Sequence, residues 1–131
     1  MPSRAHGTFN VKLNPLPMGE GSPLARMSID KEFQGDLAAT SKGEMLTIGT
    51  TTKGSAVYVA IEHVTGTLAG KRGSFSLHHT GIMNRGTPSL TINVVPDSGT
   101  DELVGLSGTL GITIDGGQHS YDFDYDLPAA G

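Results

Sequence analysis

Apolar residues recur with a period of two along several stretches of the chain: Phe9-Val11-Leu13, Met27-Ile29-Phe33, Val57-Val59-Ile61, Phe75-Leu77, Leu90-Ile92-Val94 and Tyr121-Phe123-Tyr125-Leu127. That period puts successive side chains on opposite faces of an extended backbone, so each stretch predicts a β-strand. No segment keeps apolar residues at three-to-four spacing for the roughly ten residues a helix requires, and helix is expected to be nearly absent. Turn chemistry separates the stretches at Lys42-Gly43, Lys53-Gly54, Gly70 to Gly73, Asn84-Arg85-Gly86, Asp97-Ser98-Gly99 and Gly116-Gly117. Successive strands are therefore expected to pair as antiparallel hairpins. The longest irregular piece, Asn14 to Pro23, carries three prolines and two glycines. It predicts an open loop between the first two strands and a candidate lid.

About eight or nine strands with no covering helix must hide their edges, and closing the sheet into a barrel is the economical way to do so; a sandwich is the alternative. A chain of 131 residues fits one domain, residues 1–131, able to bury about two-thirds of its unfolded surface. The last residues, Pro128 to Gly131, have no pattern and are expected to fray. With Cys 0, there is no disulfide framework and no thiolate metal site, and a reducing, cytoplasmic setting is expected. No apolar run is long enough for a signal peptide or a membrane span, so no membrane partner is expected. A net charge of −4 with no Lys/Arg cluster removes the electrostatic term that dominates nucleic-acid affinity, and nucleic acid is not expected either.

Familiar catalytic motifs are absent. Gly66-Thr67-Leu68-Ala69-Gly70-Lys71-Arg72-Gly73-Ser74 lacks one residue of phosphate-loop spacing and puts Arg72 where a hydroxyl should stand, so it reads as a glycine-rich hairpin turn. No dinucleotide fingerprint or zinc-binding His-Glu pair occurs, and no cofactor is expected. His78 and His79 are adjacent, hence on opposite faces of a strand and unable to chelate one ion together. His79 shares the parity of Phe75 and Leu77, the more apolar side. His63 and His119 have no metal-ligand spacing, and no metal is expected. Asp122, Asp124 and Asp126 alternate with the aromatic stripe; carboxylates two apart on a strand lie about 7 Å from each other, too far to share an ion, and read as a solvated face. The stripe itself reads as core.

Glu62 lies on the face of Ala56, Tyr58, Ala60 and Val64. If that face is interior, its carboxylate is costly unless paired, and Glu62 is a candidate general base or polar anchor. If Val57, Val59 and Ile61 face inward instead, Glu62 is a solvated acid. The periodicity leaves both open.

A family resemblance rests on Tyr58-Val59-Ala60-Ile61-Glu62-His63-Val64-Thr65-Gly66-Thr67-Leu68, Gly70, Gly73-Ser74-Phe75, His79-x-Gly81, Val94-Val95-Pro96-x-Ser98-Gly99-Thr100, Leu103, Gly105-Leu106-x-Gly108 and Tyr121-x-Phe123-Asp124-Tyr125-x-Leu127. Lys31-x-Phe33-x-Gly35-Asp36-Leu37 and Glu44 extend it over most of the chain. The sequence resembles the small bacterial family catalogued as domain of unknown function 3224. It departs from the pattern at His63, where arginine is common, and at Ile92, where an aromatic is common. The resemblance implies an all-β, eight-stranded antiparallel barrel similar to allene oxide cyclase, without implying that enzyme's activity. It points to Glu62 and His79 as candidate catalytic residues, with Tyr58, Glu44, His119 and Tyr121 as candidate ligand contacts.

The expected function is binding of a small apolar or amphipathic molecule in the barrel, with cofactor-independent isomerisation or cyclisation as the reaction class. A non-enzymatic carrier, or an interaction protein with a solid core, is the alternative. Barrels of this family type associate through their outer strands, which implies a homo-oligomer, a twofold dimer being the favoured form.

Overall fold

Eight antiparallel strands, each paired with the next, close on themselves in the computed structural model, which describes residues 2–128. In chain order they are β1 (Pro2–Leu16), β2 (Leu24–Gly35), β3 (Leu37–Gly49), β4 (Ala56–Leu68), β5 (Lys71–Asn84), β6 (Thr87–Val94), β7 (Ser107–Asp115) and β8 (Gln118–Asp126). β8 returns to pair with β1, so the barrel alternative holds over the sandwich and neither end of the sheet is left as an edge. Among the described residues the one helical turn is a 3-10 segment, Asp101–Leu103. Of the tail from Pro128 expected to fray, residues 129–131 lie outside the described residues.

Tight hairpins sit where turn residues occur together. Ala69-Gly70, Arg85-Gly86 and Gly116-Gly117 each put two successive residues at positive φ, the primed-turn conformation that matches the right-handed twist of the flanking strands. Two expected irregular regions differ. Lys42-Gly43 lies inside β3, where Gly43 pairs with Glu62. A Cβ at Gly43 would stand 2.8 Å from that of Glu62 and collide with the Ile61 carbonyl, so this glycine serves close strand approach and not a turn. The loop after β1 is shorter than expected, because Asn14, Pro15 and Leu16 remain paired with Ser28, Met27 and Arg26; only residues 17–23 connect the two strands.

The barrel interior has two unequal halves. At one end Leu37, Val64, Leu68, Phe75, Leu77 and Phe123 are buried to 1 % exposure or less. Phe75 stacks on Phe123 with ring centroids 5.8 Å apart, and Phe33 meets Tyr121 edge-on at 5.6 Å. The β6–β7 connection folds beneath this end, held to β5 by Val95 N–H to Ser76 O (2.9 Å) and Thr100 N–H to Ser74 O (2.9 Å). Its Leu103 and Leu106 complete the floor.

At the opposite end the inward parity continues but the space is not filled. Leu13, Leu90 and Ile114 line the interior yet remain 45 %, 45 % and 64 % exposed. The β1–β2, β3–β4, β5–β6 and β7–β8 turns surround this mouth. β6 and β7 pair at a single register position, Asn93 opposite Thr109, where Thr109 Oγ1 also donates to Asn93 Oδ1 at 2.8 Å.

The outer wall is mostly polar, with Arg4–Asp124 and His6–Asp122 pairs crossing from β1 to β8. One outer face differs: Leu46, Ile48, Val57, Val59, Ile61 and Ile82, on β3 to β5, all present substantial apolar surface to solvent. Among the described residues no helix is long and apolar enough to cross a membrane.

Candidate functional site

β4 turns its Tyr58-Ala60-Glu62-Val64 face into the barrel: Ala60, Glu62 and Val64 are buried, while Val57, Val59 and Ile61 point outward. The question of parity around Glu62 is thereby answered. A fully buried carboxylate needs partners for both oxygens, and the neighbouring strands supply them. Ser41 Oγ on β3 donates to Glu62 Oε1 at 2.7 Å. Lys31 Nζ on β2 donates to Oε2 at 2.8 Å, and His79 Nε2 on β5 reaches the same oxygen at 2.6 Å.

This cluster governs the charge of the carboxyl. Burial pushes the Glu62 pKa upward, but the hydrogen bond from His79, the Lys31 charge and bond, and the His79 charge outweigh it and hold the group down at about 2. An ionised carboxylate only accepts hydrogen bonds, so Nε2 of His79 carries the proton directed at Oε2. Nδ1 is then the ring nitrogen not taken up by Glu62. Lys31 is held from its other side by aromatic faces, with Nζ 5.1 Å from the Phe9 centroid and 5.8 Å from that of Phe33.

Above the cluster lies a cavity of about 200 Å³ that opens at the unfilled end of the barrel. Its walls are apolar, from Val11, Leu13, Ile29, Met45, Leu90 and Ile112, and Lys31 and His79 are at its polar end. Tyr58 borders it with its ring edge-on to His79 at 6.3 Å; burial first, and the Glu62 charge second, push the Tyr58 phenol pKa up. His119 borders it too, its ring 5.2 Å from that of Phe9.

Four of the six residues singled out by sequence thus meet in or directly behind one cavity: Glu62, His79, Tyr58 and His119. Two do not. Glu44 is on the outer wall, where its carboxylate accepts from Arg26 Nε at 2.7 Å. Tyr121 is buried at the packed end, where its hydroxyl accepts from Leu37 N–H (2.9 Å) and donates to Gln34 O (2.9 Å), tying the β2–β3 turn to β8. Lys31 is the member that sequence reasoning missed. Its parity with Ile29 and Phe33, both buried, already sets it on the inward side, and that parity is the signal that marks it as a site residue. Among the described residues no group of three or more His, Asp or Glu could hold a metal ion.

The cavity depends on Gly81. It faces Tyr58 across the β4–β5 ladder, and a Cβ there would overlap the Tyr58 ring, whose Cζ would lie 2.9 Å away. Gly81→Ala is expected to displace that ring, lower stability by about 1–3 kcal/mol and reduce cavity volume; a melting curve and a crystal structure of the variant check both parts.

The protein-family model described as "Protein of unknown function (DUF3224)" matches residues 5–125. A crystal structure of a protein of unknown function from the same family, from Shewanella oneidensis MR-1, is similar over 99 % of this chain and 100 % of its own, with 47 % sequence identity and a TM-score of 0.93. No curated protein matches.

Proposed function

The chain belongs to the DUF3224 family, a family of unknown function, and from the chemistry of its cavity we propose that it binds one small apolar or amphipathic molecule inside the barrel. The observation that carries the reading is the conjunction of an open apolar cavity of about 200 Å³ with a buried Lys31–Glu62–His79 cluster at its inner end. A void of about 150 Å³ already accommodates benzene in another protein, so a monocyclic compound or a short branched chain fits here. An unfilled interior also counts against the solid-core alternative. Well-packed apolar residues of similar volume are often at least as stabilising as a buried ion pair, so a charged cluster at the end of a cavity supports a role in binding.

The reaction class that goes with this reading is cofactor-independent isomerisation. Glu62, with both oxygens occupied and its pKa held low, orients the His79 ring, and His79 is the group that accepts and returns a proton on the bound molecule. Tyr58 and Lys31 offer donors to an oxygen that gains negative charge. A ligand recovered chemically unchanged after prolonged incubation with the protein identifies a carrier instead. Cytoplasmic placement belongs to the same proposal, with which a chain carrying no cysteine, and hence no disulfide for a reducing compartment to break, is compatible.

The test is isothermal titration with hydrocinnamyl alcohol, an apolar ring on a short chain with a neutral head. Binding at one site per barrel is expected in the unsubstituted protein. Leu90→Trp, at the exposed mouth, is expected to block the cavity and abolish binding with an unchanged melting temperature. Equal binding by both proteins would put the ligand elsewhere and sink the reading.

The apolar outer face supports association with a second copy. Leu46, Val59 and Thr80 lie in register across β3 to β5, as do Ile48, Val57 and Ile82, and the flanking Arg26–Glu44 pair is charge-balanced. A twofold dimer would set this face against itself. Ile61→Lys is expected to convert dimer to monomer in sedimentation equilibrium, and an unsubstituted protein that sediments as a monomer removes this part.

A further inference from the structure

The ionisable groups that line the cavity are all donors or potential cations: Lys31, His79, His119 and Tyr58. The one acid of the site, Glu62, is not in the lining. It sits behind Lys31 and His79, fully buried, with Oε1 engaged by Ser41 and Oε2 by the other two. Lys31 and Glu62 cancel in net charge, but they are not equivalent as seen from the cavity. The positive member of the pair is one of the residues lining the open space, and the negative member stands behind it in the barrel wall. A ligand's own ammonium or hydroxyl hydrogen therefore finds no free carboxylate here, whereas an anionic oxygen finds the ammonium of Lys31, which has hydrogens beyond the one given to Glu62, and the phenol of Tyr58.

Resting on the ligand-binding reading, we infer that the natural ligand is a compact amphiphile with a carboxylate head, bound head-down at Lys31 with its apolar body against Val11, Ile29, Met45 and Ile112. The size of the cavity limits that body to about one ring or a short branched chain. The carboxylate loses its hydration on entry and recovers it as charge-assisted hydrogen bonds, which a neutral head makes less well and an ammonium cannot make at all.

Hydrocinnamate, hydrocinnamyl alcohol and hydrocinnamylamine share one apolar body and carry a negative, a neutral and a positive head. Titrated separately at neutral pH, hydrocinnamate is expected to bind more tightly than the alcohol by roughly tenfold or more, the discrimination of a hydrogen bond to a charged group, and the amine more weakly than either. The double variant Lys31→Met/Glu62→Gln removes both charges without leaving one unpaired. It is expected to weaken hydrocinnamate far more than the alcohol, so that the preference for the anion is lost. An alcohol that binds as well as hydrocinnamate, or a preference that survives the double variant, overturns the inference and leaves the ligand-binding reading in place. If none of the three binds, the reading itself fails and the inference with it. The ranking in the unsubstituted protein decides by itself, so a double variant that does not fold leaves the test intact.

Discussion

Glu62→Ala is expected to destabilise the barrel by about 3–5 kcal/mol, the cost of removing one partner from a buried ion pair. The magnitude comes less from lost attraction than from what remains. Lys31 is 8 % exposed, and without Glu62 its ammonium loses its ion-pair partner and is left beside the two phenylalanine faces. Ser41 and His79 lose their acceptor as well. The double variant Lys31→Met/Glu62→Gln has no orphaned charge and is expected to recover most of the loss. Urea unfolding of Lys31→Met, Glu62→Gln and the double variant closes a cycle that gives the coupling energy of the pair. Additive effects would show that the pair acts independently, which the 2.8 Å contact does not allow.

Acid is the second large lever. The Glu62 pKa lies at about 2 in the folded protein against 4.5 for a free glutamate. A carboxyl with a depressed folded pKa binds its proton more readily when unfolded. Its contribution is therefore present in full above the unfolded value and is lost as pH falls from about 4.5 towards 2. The shift corresponds to about 3 kcal/mol. Unfolding free energy measured across that window should fall in both proteins, and by about 3 kcal/mol more in the unsubstituted one than in Lys31→Met/Glu62→Gln. Asp124 and Glu44 are also lowered, by Arg4 and Arg26, but both are on the outer wall and are present in either protein, so the difference between the two curves isolates Glu62.

Much of this architecture is legible in the sequence because a closed antiparallel barrel imposes one simple rule, alternation, on every strand. Phe9, Phe33, Phe75, Leu77, Ile92 and Phe123 obey it and are buried. The rule becomes ambiguous where both faces of a strand are partly apolar. On β4 the inward side carries Tyr58, Ala60 and Glu62 and the outward side Val57, Val59 and Ile61, so hydropathy favours the wrong face. The interior there is narrowed by polar groups that satisfy one another and spaced by Gly43 and Gly81. Neither effect has a signature in a single strand, because both need the partner strand to be known. Lys31 escaped for the same reason: its partner is 31 positions away, two strands across the barrel interior. Gly43 was read as a turn because the exclusion that fixes it comes from Glu62 on β4. The resemblance picked out Glu62 and His79 but grouped them with Glu44 and Tyr121, which serve an outer ion pair and a backbone clasp at the packed end.

The seam between β6 and β7 gives this barrel something that a uniformly laced one lacks. Every other junction runs for eight or more register positions, while this one is joined at Asn93 and Thr109 alone. Leu90 on one side of it and Ile112 and Ile114 on the other are cavity-lining residues, so the weakest junction of the wall runs alongside the cavity. Closure of a barrel makes its strands rigid in concert, and a stave that is barely fastened concentrates compliance in one place. Strain on the wall is then taken up first at this seam, while the packed floor and the charged cluster stay in register.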